Sequence, residues 1–493
     1  MRGVLSFVSF EKSVIKSDQN PVRENDCVLR LIILMFRLCS NYTFGIIIQK
    51  VFKIQKFLDL FPKTSFFMTF LDYNGENKMK IISGVKLMEL ISRPDYLNFL
   101  QQFREKRLIK VISGVRRCGK STLFTLFQRQ LLKENVSPEQ MISINFEDLR
   151  FSALTDYRKL HEYVLSHALP DRMNYIFLDE IQQVPQFERA VDSLFLHSNL
   201  DIYMTGSNAW FMSGELATLL AGRYVEISML PLSFREFCTG DANASKRSVM
   251  ANFNAYLQQG SFPYTLRFDG RQEDVDVYLD GIYSTIMLKD VAARHRITDV
   301  MRLESVFRFL MDNVGSLISI KKIADSLTSM GRKTDSKTLE KYVKGLKDSL
   351  ILYEAPRYNI RGKQLLSTLS KYYAVDLGMR NRALGRRGED LGHQLENVIY
   401  LELLRRYKTV YVGKMDQTEV DFVALGNEGP QYYQVALSTL DPMVLERELK
   451  PLQQIQDQYP KFLLTLDELE SEASYNGIRK MNALKWLLSD EIH

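Results

Sequence analysis

From residue 108 onward, short runs of hydrophobic residues alternate with longer stretches that have helical periodicity. The runs are LIKVISG (108–114), MISINFED (141–148), YIFLDE (175–180) and DIYMTGSN (201–208). Runs rich in β-branched and aromatic residues, separated by helix-length segments, are typical of parallel strands covered by helices on both faces. The pattern therefore predicts an α/β fold with a parallel sheet at its core.

The pattern changes after Pro231. Residues 231–300 have mainly helical periodicity, which indicates a helical lid or linker. Residues 301–388 contain three helix-like stretches and then strand-like LILYEAP, an order that predicts a winged helix-turn-helix. Residues 389–493 begin with a helix-like stretch and continue as strand-like TVYVGK, EVDFVAL and YYQVALS. They are expected to form a small α/β domain.

The N-terminal segment, residues 1–78, mixes short apolar runs with polar stretches and has no sustained period. A membrane-spanning helix needs about 20 predominantly apolar residues. Basic and amide side chains interrupt the most apolar stretch of this segment, so no membrane span is expected. Met79 opens a stretch that resembles a natural protein start. We therefore interpret residues 1–78 as an N-terminal extension and place the sheet-containing core at 79–230.

Composition and charge narrow the class of protein. A chain of 493 residues is too long for one ordinary hydrophobic core, so two to four domains are expected. The formal net charge of +6 permits a nucleic-acid partner without requiring one. The four cysteines form no CxxC pair, which argues against a disulfide framework or a zinc site. A cytoplasmic location is the expectation.

A phosphate-binding loop follows the first predicted strand. The segment GVRRCGKST satisfies G-x-x-x-x-G-K-[ST] between a strand and a helix, which is the context this motif requires. Its glycines let the backbone approach phosphates, and its N–H groups and lysine supply positive charge. Ser121 is expected to ligate Mg²⁺ beside ATP. The predicted ATP-binding residues are Gly114, Val115, Arg116, Arg117, Cys118, Gly119, Lys120, Ser121 and Thr122.

Two carboxylates end the strand YIFLDE. Ligands of parallel sheets bind at the carboxyl edge of the strands, so Asp179 is expected to hold Mg²⁺ through water. Glu180 is the candidate general base that polarises the attacking water. A strand that ends in a solvated acidic turn is the alternative, and the upstream phosphate-binding loop argues against it.

Three further residues are candidates for catalysis. Ser207 and Asn208 follow another buried strand and are expected to reach the γ-phosphate and the attacking water, although a plain turn also explains them. Arg223, in LLAGRYVEI, is a candidate arginine finger, because a guanidinium neutralises charge that develops on the transferred phosphoryl group. An exposed arginine at a helix end is the alternative.

The order of these motifs resembles a large AAA-type ATPase family of bacteria and archaea. GVRRCGKSTL, FLDEIQ, TGSNA, LAGRY and PLSFREF carry the likeness, and GSFP (260–263) and LKDVAARH (288–295) fit the middle region of that family. The likeness runs from about Met79 to the C-terminus. It implies an AAA-like core, a winged helix and a C-terminal domain of unknown function with a nuclease-like fold.

The C-terminal domain is similar to PD-(D/E)xK nucleases, with one departure from their pattern. Glu396 and Asp421 match the acidic positions, and Glu419 adds a further carboxylate, but Gln434 and Ala436 stand where such a nuclease has E-x-K. An amide is a weaker metal ligand than a carboxylate, and alanine cannot activate water. The sequence favours a nuclease-derived fold without nuclease activity. A working enzyme that takes a lysine from elsewhere, with Lys414 the nearest in sequence, stays open.

Basic residues surround the third predicted helix of the winged domain, where a recognition helix would meet phosphates. Acidic neighbours dilute this positive stripe, and winged helices also pack against proteins, so DNA and protein remain alternative partners. The basic residues are Arg332, Lys333, Lys337, Lys341 and Lys344.

Three hypotheses for function follow. The first is an ATP-hydrolysing conformational switch that acts on an unknown partner, and an oligomer is compatible with it. The second is an ATP-dependent DNA-processing factor or nuclease that uses Glu396 and Asp421. The third is a nucleotide-gated protein-interaction module with slow hydrolysis.

Overall fold

The structure is a computed structural model that describes residues 90–206, 220, 222–332, 334–385 and 390–489. The expectations for residues 1–78, Ser207, Asn208 and Lys333 lie outside these residues. The described residues belong to one compact unit, Leu90–His493. Within the described ranges, no helix is both long enough and apolar enough to cross a membrane.

The first sheet has five strands, all parallel, in the order β2-β3-β4-β1-β5. Every residue of β1 and β3 is buried, which is the burial expected of central strands covered on both faces. The parallel sheet predicted from the hydrophobic runs is confirmed. Its strands are β1 (Ile109–Gly114), β2 (Met141–Asn145), β3 (Asn174–Asp179), β4 (Leu200–Gly206) and β5 (Tyr224–Met229).

Helices cover both faces of this sheet. The first two of these helices in chain order pack with Ile112, Phe177 and Tyr203 in one hydrophobic core. The next two helices pack with Val111 and Ile176 in another. Alternate residues of a strand point to opposite faces, so each strand contributes to both cores. The four helices are α1 (Pro94–Gln102), α2 (Lys120–Lys133), α3 (Tyr157–His167) and α4 (Phe187–Phe195).

The region after Pro231 is helical. Ser233 and Glu236 form a reciprocal capping box that begins its first helix. The third helix continues directly into a π-helix, Ile286–Ala293. The α-helices are α5 (Phe234–Gly240), α6 (Val249–Gln259) and α7 (Gln272–Thr285). Short 3₁₀ helices occur at Pro138–Gln140, Leu149–Thr155, Ile181–Gln183, Ala244–Lys246 and Pro263–Phe268.

Three helices and a β-hairpin follow in the order that the sequence predicts. Asp335 caps the third helix by accepting a hydrogen bond from the backbone of Thr338. The elements are α8 (Val300–Asp312), β6 (Leu317–Ile318), α9 (Ile320–Ser329), α10 (Ser336–Asp348), β7 (Leu352–Asn359) and β8 (Gln364–Ala374).

The hairpin belongs to a second sheet of nine strands, in the order β13-β14-β12-β11-β10-β9-β7-β8-β6. Strand β7 pairs in parallel with β9, so one sheet crosses the sequence-based division at residue 388. The winged-helix and nuclease-like assignments stay predictions. The remaining elements are α11 (Leu377–Leu384), α12 (Leu391–Arg406), β9 (Thr409–Met415), β10 (Thr418–Gly426), β11 (Gly429–Ala436), α13 (Pro442–Gln453), β12 (Lys461–Thr465), β13 (Ala473–Tyr475), β14 (Ile478–Asn482) and α14 (Ala483–Leu488).

Candidate nucleotide-binding site

The GVRRCGKST loop connects the end of β1 to the start of α2. Gly114 lies so close to β5 that an added Cβ would be 2.4 Å from the carbonyl oxygen of Met229. Gly119 has a φ of 108°, a left-handed value that favours glycine. The two glycine positions of the motif therefore have physical reasons to be glycine in this chain. Cys118 is buried, and burial raises the pKa of its thiol, so it packs as a core residue.

Lys120 is the first residue of α2, and its side chain folds back over the loop. Its ammonium donates hydrogen bonds to the carbonyl oxygens of Gly114, at 3.1 Å, and Val115, at 3.3 Å. Oε1 of Glu180 lies 3.9 Å from the same nitrogen. The lysine is buried, so its charge is placed at the loop and shielded from bulk water.

Asp179 ends β3 in a network of hydroxyl and amide donors. Thr205 donates to its Oδ1 at 2.5 Å, and Asn145 donates to its Oδ2 at 3.1 Å. Burial raises the pKa of Asp179, whereas the hydrogen bond from Thr205 and the nearby hydroxyl of Ser121 act in the opposite direction. Serine hydroxyl and carboxylate oxygens are the ligand types that Mg²⁺ prefers, so this pair fits the ion.

Glu180 follows with a left-handed backbone, φ 57° and ψ 45°. Such a conformation is uncommon for a residue other than glycine and is concentrated at functional sites. Its backbone N–H donates to the Thr205 hydroxyl at 3.0 Å, and Gln182 donates to its carboxylate. The turn brings the carboxylate of Glu180 to the ammonium of Lys120.

Arg116 links the loop to the helical region. Its guanidinium donates two hydrogen bonds to the buried carboxylate of Asp290. Nε donates to Oδ2 at 3.1 Å, and Nη2 donates to Oδ1 at 3.2 Å. Glu147 lies 3.4 Å from the same guanidinium. Asp290 belongs to LKDVAARH and to the π-helix. The loop and a distant part of the chain are thus joined by a bidentate ion pair.

Arg93 holds the loop from the other side. Its guanidinium donates to the carbonyl oxygens of Cys118, at 3.1 Å, and Leu230, at 2.7 Å, and to Oε1 of Glu236, at 2.7 Å. Both charged side chains are almost completely buried. Glu236 lies in the PLSFREF motif, so this motif contributes a buried anion that positions the arginine under the loop.

The structure brings together the loop, Ser121, Asp179 and Glu180, but it does not bring Arg223 to them. The carbonyl of Arg223 accepts a hydrogen bond from Ile109, the first residue of β1, whereas the phosphate-binding loop follows the last. Six residues of strand separate the two ends, about 16 Å. Its side chain pairs with Asp192 at 3.4 Å.

Sequence reasoning missed Thr205 and Asn145. Asn145 pairs directly with Asp179 in the sheet, and Thr205 follows the residue of β4 that pairs with Leu178. Thr205 begins the TGSNA motif, but the sequence assigned a role in the site to neither residue. The signal that could have found them is a polar residue at the carboxyl end of each strand next to β3, and using it requires the strand order.

The structure also places the polar residues that the sequence singled out in the C-terminal domain and around α10. Asp421 accepts a hydrogen bond from the backbone of Val435 at 2.9 Å, and Gln434 accepts one from the backbone of Asp421 at 3.3 Å. Gln434 in turn donates to Glu448 at 2.9 Å, so its amide is used within the fold. On α10, Lys337, Lys341 and Lys344 are exposed. Arg332 instead donates to the carbonyl of Met301 at 3.2 Å.

Comparison with known sequences gives two family matches. Residues 106–238 match the family described as AAA domain, and residues 250–390 match a domain of unknown function. An uncharacterized protein of Haemophilus influenzae is 38% identical over 402 residues, which cover 81% of this chain and 99% of that protein. The uncharacterized protein MJ1544 of Methanocaldococcus jannaschii is 32% identical over 359 residues, covering 69% of this chain and 77% of that protein.

Among solved structures, the Walker-type ATPase PABY2304 of Pyrococcus abyssi is similar at 17% sequence identity. The likeness covers 59% of this chain and 95% of that one, with a TM-score of 0.37. A likeness this distant indicates nothing about function.

Proposed function

This chain contains an AAA domain and belongs to one family with its Haemophilus and Methanocaldococcus relatives, and from that premise we propose that it binds ATP with Mg²⁺ and hydrolyses the ATP. One observation carries the proposal. Lys120, the Ser121–Asp179 pair and Glu180 converge at the carboxyl edge of the parallel sheet. A cation, an oxygen ligand set and a base are the groups that phosphoryl transfer to water requires.

Each group has a defined task. The N–H groups of the loop and the ammonium of Lys120 bind the β- and γ-phosphates of ATP. Ser121 and Asp179 would hold Mg²⁺, which supplies positive charge to the phosphate oxygens when bound. Glu180 accepts a hydrogen bond from the attacking water and takes its proton.

The binding step is tested by Lys120→Ala, which removes the charge that meets the phosphates. We expect loss of detectable binding of a non-hydrolysable ATP analogue in calorimetry, with an unchanged circular dichroism spectrum. Lys133→Ala is the matched control, because Lys133 is an exposed lysine at the other end of α2. Wild-type affinity in a folded Lys120→Ala protein would remove the site assignment.

The chemical step is tested by Glu180→Gln, since an amide cannot accept a proton from water. We expect the variant to bind ATP as the wild type does and to lose about 10²–10⁴-fold in phosphate release. Glu162→Gln, an exposed change on α3, controls for the loss of one negative charge. Phosphate release at the wild-type rate by Glu180→Gln would exclude the glutamate as the base.

We further propose that hydrolysis drives a conformational switch, with Arg116–Asp290 as the connection. Phosphates bound by the loop attract the same guanidinium that Asp290 holds, so ATP and Asp290 compete for it. The difference in binding between the two arrangements is what allows a nucleotide to shift their populations.

Hydrogen exchange of the Ile286–Ala293 π-helix tests this connection. We expect the ATP analogue to change exchange there in the wild type but not in Asp290→Asn, which still binds the analogue. Asp280→Asn is the matched control, because Asp280 pairs with Arg382 at the surface of α7. An identical ATP-dependent change in wild type and Asp290→Asn would exclude this route.

The partner of the switch is proposed to be DNA or a protein. Lys337, Lys341 and Lys344 recur at the spacing that places side chains on one helix face, and all three are exposed. Binding of a labelled duplex that weakens steeply with salt and with replacement of these lysines by glutamine would select DNA. Salt-independent or absent duplex binding would select a protein partner.

A further inference from the structure

Three carboxylates surround one lysine in the nine-stranded sheet. Nζ of Lys371, on β8, lies 3.0 Å from Oε1 of Glu396 on α12. The same nitrogen lies 2.8 Å from Oε1 of Glu419 and 3.5 Å from Oδ1 of Asp421, both on β10. These are the carboxylates that the sequence compares with the acidic positions of a nuclease, and the lysine is not Lys414. We refer to the four residues as the Lys371 cluster.

The cluster is enclosed and its geometry is supported. The side chain of Lys371 is 5% exposed, and those of Glu396 and Asp421 are 13% and 15% exposed. Tyr373 donates its hydroxyl hydrogen to Oε1 of Glu396 at 2.7 Å. Asp421 is held by the backbone N–H of Val435. Glu396 and Asp421 thus have fixed positions around the nitrogen, whereas the side chain of Glu419 is 32% exposed.

Lys371 carries a full charge in this setting. Burial acts to lower the pKa of its amine, but the carboxylates of Glu396, Asp421 and Glu419 outweigh burial and hold that pKa well above its ordinary value. An ammonium has three N–H donors, and three carboxylates face it. Its charge therefore offsets part of the repulsion among three anions that the fold brings together.

A divalent ion and this ammonium require the same space. Mg²⁺ and Ca²⁺ bind carboxylate oxygens at about 2.0–2.6 Å, which places the ion between the carboxylates where Nζ already lies. We propose that the Lys371 ammonium is the resident cation of this cluster and that the native chain binds no divalent metal there.

The proposal also assigns a structural task to the lysine. Lys371 lies in the hairpin of the predicted winged domain, residues 301–388, whereas its partners lie on α12 and β10 of the predicted C-terminal domain, residues 389–493. The ion cluster therefore joins β8 to α12 and β10 without a metal. It is independent of the nucleotide site, and its failure would leave the proposed ATPase function untouched.

Removal of the ammonium is the direct test. We expect Lys371→Ala to bind one more Mn²⁺ per chain than the wild type in nucleotide-free titrations followed by electron paramagnetic resonance. The added Mn²⁺ should be lost in Lys371→Ala/Asp421→Asn and absent in Lys408→Ala, which removes an exposed lysine. Wild type and Asp421→Asn should bind equal amounts of Mn²⁺. Any Mn²⁺ that binds near Asp179 is common to both proteins and cancels in this comparison.

Two outcomes would overturn the proposal. One is a wild-type chain that binds a Mn²⁺ that Asp421→Asn loses, because metal and lysine would then share the cluster. The other is a folded Lys371→Ala that gains no Mn²⁺.

Lys371→Ala is destabilised by carboxylates that have lost their cation, so it folds poorly if this loss is large. In that case the melting temperature tests whether the cluster of Lys371→Ala accepts a metal. Added Mn²⁺ should then raise its melting temperature, and the wild type should melt at the same temperature in EDTA as in Mn²⁺. A wild-type melting temperature that EDTA lowers, with no such effect of EDTA on Asp421→Asn, would contradict the proposal. So would a Lys371→Ala melting temperature that Mn²⁺ leaves unchanged.

Discussion

Thr205 has one hydroxyl with two tasks: it donates to Asp179 and accepts from the backbone N–H of Glu180. Thr205→Val keeps the shape of the side chain but removes both hydrogen bonds in a buried place. We expect a loss of about 1–3 kcal/mol in the free energy of unfolding, measured by urea denaturation, because a buried polar group is left unsatisfied. Slower ATP turnover should accompany it, since Glu180 loses the bond that fixes its backbone.

Thr205→Ser is the control for that change, because it retains the hydroxyl and loses only a methyl group. The serine variant should keep most of the turnover of the wild type. A valine variant as active and as stable as the serine variant would show that the hydroxyl does not organise the site.

At the residue scale, the sequence predicts those site residues that belong to a short motif. The loop, Asp179 and Glu180 could be assigned because glycine, lysine and paired carboxylates have physical requirements that show in a few consecutive residues. Thr205, Asn145 and Arg93 could not be, because each acts on a residue far away in the chain. Their positions depend on which strands become neighbours, and hydrophobic runs do not give that order.

The GSFP element packs directly against the start of α11. At Gly260, φ is 78°, and an added Cβ would lie 2.6 Å from Oδ2 of Asp376. Asp376 is buried and accepts hydrogen bonds from Ser261 Oγ at 2.8 Å and Met379 N at 2.7 Å. The glycine therefore allows a close approach between the helical region and the cap of a later helix.

Gly260→Ala should destabilise the fold by more than Gly270→Ala in urea denaturation. Gly270 has the same φ of 78°, but its Cβ would meet only Gln259, at 3.8 Å. The backbone conformation alone costs about 1–3 kcal/mol, and only the change at 260 adds a collision with a buried carboxylate. Equal losses in the two variants would show that Asp376 moves aside without cost.

At the element scale, the parallel sheet and the order of helices and strands could be predicted, because each element shows its own period. The pairing of β7 with β9 could not, since β8 and two helices separate the two strands in the chain and the pairing leaves no local mark. The same pairing explains why Lys371 was missed. Strand β8 is carried to the carboxylates by this sheet, whereas sequence proximity pointed to Lys414.

Arg223 belongs to the scale of the whole molecule, because its place at the far end of β1 means that any catalytic role would have to be played at the site of a second copy. In an oligomer where it acts in trans, Arg223→Ala should bind ATP but hydrolyse it slowly. Mixing that variant with Lys120→Ala should restore part of the phosphate release, because intact loops then meet intact arginines. A mixture that is no more active than its components at every ratio would exclude the trans role.

The chain is expected not to cleave DNA. Cleavage needs enough anionic oxygens to hold a metal and a group that eases the formation of hydroxide. The Lys371 cluster commits its oxygens to an ammonium, Ala436 offers no group for the second need, and the carboxylates raise the pKa of Lys371 so that it stays protonated and cannot take a proton from water. Plasmid and linear DNA should stay intact with Mg²⁺ or Mn²⁺, with or without ATP. Metal-dependent cutting that disappears in Asp421→Ala, and is absent from a mock purification, would contradict this.

The edges of the nine-stranded sheet bear on how the protein behaves at high concentration. In the described part of the chain, the outermost strands are β6, of two residues, and β13, of three. An edge strand exposes unpaired backbone N–H and C=O groups that invite another chain to add a strand, and short edges limit this. A sheet this wide would otherwise be a template for fibrous aggregation. Its two short borders favour a protein that stays dispersed when it is concentrated.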